Sequence, residues 1–163
     1  MTKEESSANY RWHLHPLRVR YQETDRMGVV FYGNYVTWFE VGRTEIVRAL
    51  GTPYSAVEKE GLLLPVVDLE CTYLSPARYD DNVLVCTRIE QLSPIRMAFR
   101  SEVRLIGEGE TYPAFWEGEE PPGKLLVQGG TRHVWVNGEW KPSRLDKALP
   151  ELYAMLQRAA SNL

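Results

Sequence analysis

A chain of 163 residues, 44% of them hydrophobic, is long enough for one well-filled core and leaves little room for a second. Its net charge of -3 supplies no basic field of the kind that holds a phosphate backbone, so no nucleic-acid partner is expected. A short polar start, Met1 to Asn9, and the lack of any apolar run long enough to span a bilayer predict a cytoplasmic protein with no membrane insertion.

In chain order, residues 1–14 read as an N-terminal extension. Leu17, Val19 and Tyr21 then alternate with Arg18, Arg20 and Gln22, the period of a strand with one buried face. The strand breaks at Glu23 to Gly28, where Asp25 and Gly28 are turn formers and Gly28 tolerates a positive φ. Beyond the turn, Tyr35, Trp38, Phe39, Gly42, Ile46, Ala49 and Leu50 recur every three or four residues. That spacing predicts one amphipathic helix, opened near Asn34 and closed by Gly51 before Pro53, with Gly42 allowing close approach to a sheet.

Strands are predicted over 64–74, 83–92, 95–106 and 124–136, parted by turn signals at Ser75-Pro76, Asp80-Asp81-Asn82 and Ser93-Pro94. Residues 107–123 crowd Gly, Pro and Glu around Tyr112, Phe115 and Trp116 without a period and read as a long inserted loop. A short C-terminal helix is predicted over 146–160. One strand, one long helix and then consecutive strands is an α+β pattern, an antiparallel sheet of about five strands around or against one central helix, with 1–163 a single domain.

Several familiar chemistries find no support. His13, His15 and His133 lack ligand spacing, so no metal is expected. Cys71 and Cys86 lie in strand-like stretches without C-x-x-C spacing and read as buried free thiols. No G-x-S-x-G elbow is present. Glu40 with Arg43, and Glu45 with Arg48, have the spacing of helical ion pairs, which leaves Glu40 a supporting residue only.

The stretch from Thr24 to Tyr35 sets a carboxylate, Asp25, a few residues before a long helix. A helix N-terminus offers unpaired N–H groups and the positive end of the macrodipole, which polarise a carbonyl; a nearby carboxylate attacks it or activates water. Thioesters suit so simple a site, because their carbonyl is weakly resonance-stabilised and a thiolate leaves readily. Taken alone, an Asp before a helix is more often a cap or turn residue than a catalyst.

The run Arg18-Val19-Arg20-Tyr21, Glu23-Thr24-Asp25, Met27-Gly28-Val29-Val30-Phe31-Tyr32, Asn34-Tyr35, Phe39-Glu40 and Arg43-Thr44-Glu45 resembles the signature of the 4-hydroxybenzoyl-CoA thioesterase family. Ser75-Pro76-Ala77-Arg78-Tyr79-Asp80-Asp81 is similar to a turn of that family, and the likeness extends over about 17–144. The resemblance implies a hotdog fold and a homodimer or homotetramer whose subunits share a continuous sheet, with active sites at the interface. It implies an acyl-CoA thioesterase in which Asp25 is the nucleophile or general base and the backbone around Tyr32 and Gly33 polarises the thioester. Val30, Phe31 and Asn34 are expected beside the substrate, and Arg78 and Arg96 near the CoA phosphates. No cofactor is expected, since coenzyme A is part of the substrate.

A hydratase or dehydratase of hydroxyacyl thioesters is the alternative enzyme, disfavoured because the predicted helix and its preceding loop hold no histidine. A non-catalytic acyl-CoA-binding protein is the third reading. The 107–123 loop departs from the family pattern: its aromatics either cover the acyl or pantetheine channel, or pack on a partner or the sheet edge.

Overall fold

The computed structural model describes residues 11–160. Strand β1 (Arg11–Arg18) is followed by a 3-10 turn at Tyr21–Glu23, helix α1 (Asn34–Ala49) and helix α2 (Tyr54–Lys59). Strands β2 (Val66–Tyr73), β3 (Asn82–Leu92), β4 (Arg96–Ile106), β5 (Phe115–Glu117) and β6 (Lys124–Val134) come next, then α3 (Leu145–Ala148) and α4 (Pro150–Ala159). The strands form one sheet in the order β2-β6-β4-β3-β1-β5, with every neighbouring pair antiparallel. No helix among the described residues is long and apolar enough to cross a membrane.

The sheet has six strands rather than about five, because Phe115–Glu117 leaves the expected 107–123 loop to pair with Arg11–His13. The first strand also lies earlier than expected: residues 11–14 of the supposed extension, with His13 and His15, belong to β1, while residues 1–10 fall outside the described part. Trp12 and Leu14 supply the buried outer face, and Tyr21, expected to be buried, is 78% exposed. The chain curls instead into the 3-10 turn, drawn in by the Glu23 carboxylate accepting from Arg20 N–H at 2.8 Å. Pro16 is tolerated inside β1 because β5 pairs only with residues 11–13, so no ladder bond is lost on that side.

Helix α1 covers the inner sheet face through Tyr35, Trp38, Phe39, Gly42, Ile46 and Val47. Trp38 and Phe39 join Val83, Val85, Val103 and Val127 in a core cluster, each large side chain contributing about 2 kcal/mol on leaving water. The helix approaches β3 so closely that a Cβ on Gly42 would collide with Thr87 Oγ1 and sit 2.8 Å from Val85 Cγ1. Central β3 is buried on both faces from Val83 to Thr87, hence its continuous apolar run. The expected ion pair Arg48–Glu45 forms at 2.9 Å, whereas no ion pair joins Glu40 to Arg43 among the described residues.

The C-terminal helix expected over 146–160 is split into α3 and α4, with Pro150 opening α4, where its missing N–H costs nothing. Cys86 is buried as expected; Cys71, on edge strand β2, is only half-buried. The aromatics of 107–123 pack at the opposite edge of the sheet. Tyr112 and Trp116 cover Trp12, Leu14, Leu84 and Cys86, and Phe115 meets His13 edge-on at 5.4 Å.

Candidate active site

Asp25 sits in a small hairpin closed by its own N–H donating to Val29 O at 2.8 Å and by Gly28 N–H donating to Asp25 O at 3.0 Å. Gly28 takes φ +79°, which the reversal demands and a side chain resists. Met27 N–H donates to Asp25 Oδ1 at 2.8 Å, an Asx turn that holds the carboxylate in place. The far arm of the hairpin is stitched to residues 77–78: Val30 N–H donates to Ala77 O at 2.9 Å, and Val29 bridges Arg78.

Glu23 joins this hairpin to α1. Its side chain is nearly buried; Oε1 accepts from Arg20 N–H at 2.8 Å and Arg20 Nε at 3.3 Å, and Oε2 accepts from Trp38 Nε1 at 2.7 Å. Its backbone oxygen accepts from Phe31 N–H at 2.9 Å and Asn34 Nδ2 at 2.8 Å. Burial pushes the Glu23 carboxyl up, but the hydrogen bonds from Arg20 and Trp38 outweigh it and hold the group below the usual carboxylate range.

Helix α1 begins at Gly33, whose φ of -68° and ψ of -22° are already helical and which supplies no side-chain cap. The N–H groups of Tyr32 and Gly33 have no hydrogen-bond partner among the described residues. They lie at the positive end of a 16-residue helix.

A cavity of about 260 Å³ opens beside these groups, lined by Asp25, Tyr32, Tyr35 and Tyr73 with Val29, Val30 and Leu74 among its apolar walls. Tyr35 is buried, and its hydroxyl accepts from Ala77 N–H at 3.1 Å; burial raises its phenol above the ordinary value. Tyr73, on β2, donates its hydroxyl to Tyr32 O at 3.0 Å. Loss of hydration beside the cavity, with the neighbouring Cys71 side chain, pushes the Tyr73 phenol up to about 12.

Of the residues picked out in the sequence, Asp25, Val30 and Tyr32 line this cavity; Gly33, next in the chain after Tyr32, is not among its lining residues. Phe31 does not line it; its half-exposed ring stacks against Tyr32, centroids 4.6 Å apart. Asn34 turns its amide to Glu23 O and braces the loop. Arg78 lies two residues beyond the Pro76 wall, exposed. Arg96 is not brought to the cavity within the chain: it pairs with Val134, whereas Tyr73 pairs with Val127, seven residues and roughly 23 Å along β6. Tyr112, Phe115 and Trp116 do not line the cavity either.

Glu23, Tyr35 and Tyr73 are the site residues that the sequence left without a role. Glu23 had a local signal, its spacing of three from Arg20; Tyr73 had none, lying 41 positions from the carbonyl it reaches.

The sequence profile of the thioesterase superfamily matches residues 27–111, a span that opens two residues after Asp25. A Bacillus subtilis protein named as an acyl-CoA thioesterase, YneP, is 33% identical over 88% of this chain and 94% of its own. The crystal structure of DHNA-CoA thioesterase from Staphylococcus aureus superimposes with a TM-score of 0.79 at 31% identity, covering 92% of this chain and 91% of that one. A 4-hydroxybenzoyl CoA thioesterase solved with 4-hydroxybenzoyl CoA shares the fold, with a TM-score of 0.69 at 18% identity over 89% of this chain and 97% of that one.

Proposed function

Because the chain belongs to the thioesterase superfamily and is a thioester hydrolase of hotdog fold, we propose that it cleaves an acyl-coenzyme A thioester in the cavity beside Asp25. One observation supports this reading: a fixed carboxylate, Asp25, and Tyr32, whose main-chain N–H is unpartnered among the described residues, line the same largely apolar cavity, with the unpartnered N–H of Gly33 next in the chain. The thioester oxygen rests on the amides of Tyr32 and Gly33, where the start of α1 favours the negative charge that develops as the carbonyl carbon becomes tetrahedral. Asp25 either takes a proton from water as that water adds to the carbon, or adds directly to give a mixed anhydride that water then opens. In both routes the C–S bond breaks, the sulfur leaves as thiolate and is protonated, and the acid is released. The reaction needs no cofactor, coenzyme A being part of the substrate, and the exposed Arg78 is available to its phosphates.

A thiol-release assay over benzoyl-, hexanoyl- and palmitoyl-CoA tests this, with turnover expected for at least one acyl class. Tight binding of intact acyl-CoA without thiol release would instead favour a non-catalytic acyl-CoA-binding protein. The hydratase reading is disfavoured by a cavity lining that contains no histidine.

The assembly that fits this function is a homodimer built on β2. That strand ends the sheet, and Val66, Val67 and Leu69 are exposed along it, an edge of the kind that a second copy covers. Tyr73 and Leu74, at the end of the same edge, wall the cavity, so a partner there would complete the site. The chain is expected to run at two-chain mass in light scattering, and Leu69→Lys to weaken pairing at least about tenfold and lower turnover with it. A two-chain mass retained by Leu69→Lys at high dilution would put the interface elsewhere.

A further inference from the structure

We infer that Tyr73 is a positioning residue for the reaction: by donating its hydroxyl to Tyr32 O at 3.0 Å, it aims and polarises the Gly33 N–H of the same peptide. This rests on the reading that amides at the start of α1 hold the thioester oxygen. The Tyr32–Gly33 peptide is trans, like every peptide in the described chain, so its C=O and N–H point in opposite directions across one rigid plane. A donor fixed on the oxygen therefore sets the direction of the N–H, and hydrogen bonding at the carbonyl strengthens the amide as a donor.

Three further features support the assignment. The hydroxyl comes from a sheet strand, not from the loop that it holds, so the peptide is referenced to a rigid element. The Tyr73 ring is itself held, edge-on to Tyr32 at 6.3 Å and to Tyr35 at 5.6 Å. Its phenol, raised to about 12, stays protonated and keeps donating across the neutral range.

Tyr73→Phe keeps the ring and removes only the hydroxyl. We expect kcat to fall about tenfold with KM within about twofold and the thermal midpoint unchanged. The spectroscopic counterpart is the carbonyl stretch of a bound acyl-CoA analogue in which CH₂ replaces the thioester sulfur, labelled with ¹³C at the carbonyl. In Tyr73→Phe it should move to higher frequency, reporting a weaker oxyanion donor. A purely structural tyrosine would lower the thermal midpoint and leave the bound carbonyl frequency as it is. Either an unchanged frequency or a kcat within about twofold of wild type overturns the assignment. Asp25→Asn measured alongside separates the two levels: if it is inactive while Tyr73→Phe is normal, only the role of Tyr73 falls. If Asp25→Asn is fully active, the underlying site reading falls with it. Light scattering on both variants checks that chain pairing is unaltered.

Discussion

Replacing Asp25 by Asn is expected to lower kcat about a thousandfold or more, with the unfolding midpoint and the affinity for an acyl-CoA analogue close to wild type. The substitution is nearly isosteric, and an Asn side-chain oxygen still accepts from Met27 N–H, now at 2.8 Å on Oδ1, so the Asx turn survives. What disappears is the basic, negatively charged oxygen, without which neither water activation nor direct attack proceeds. Asp25 is only half-buried and makes no ion pair among the described residues, so its charge contributes little to folding. Thiol release, equilibrium binding and thermal melting on one protein preparation give the three readings. Turnover near wild type would remove Asp25 from the chemistry.

Glu23→Ala should be the most damaging change to stability near the site, costing about 3 kcal/mol and reducing turnover of the protein that still folds. It strands the buried Trp38 Nε1 and the Arg20 N–H, and it cuts the tie between the Asp25 hairpin and α1. Glu23→Gln should cost less, since its amide oxygen replaces one of two acceptors. The pH dependence has a definite sign. The folded carboxyl titrates below its ordinary value of 4.5, so its stabilising contribution is complete above that pH and is lost as pH falls through the lower, folded value. Urea unfolding of wild type and Glu23→Gln across this acid range should therefore show the gap between them narrowing as the pH drops. A gap that stays constant to strongly acidic pH would mean that the charge of Glu23 is not what the fold uses.

The parts of the molecule legible in the sequence are those whose signals are local. Helix α1 announced itself through sixteen residues of period three to four, and β3, β4 and β6 through long apolar runs. Asp25 and the helix start were legible together because nine residues or fewer separate them. Short elements escaped: α2 spans six residues and β5 three, less than any periodicity needs. The alternation at 17–21 held only in part: Leu17 and Arg18 end β1 and Val19 is buried, but the chain leaves the sheet before Tyr21, where Glu23 contacts Arg20 and Trp38 in a way that no period records. Arg96 lies far from the cavity of its own chain for a related reason: proximity to a turn says nothing about which end of the strands that turn occupies, and the register puts it at the far end. Tyr73 and Tyr32 meet only because the edge strand returns past the helix start.

The strand at 115–117 has a bearing on how far association can proceed. Three residues long, and set between Pro113 and the Pro121-Pro122 pair, it occupies the β1 side of the sheet and offers too little backbone for another molecule to extend. Among the described residues β2 is the long margin open to main-chain pairing, and in the proposed homodimer two such margins would meet about a twofold axis and cover each other. In that homodimer, growth along the hydrogen-bonding direction would be disfavoured beyond a single joining step, a guard against ribbons and fibres.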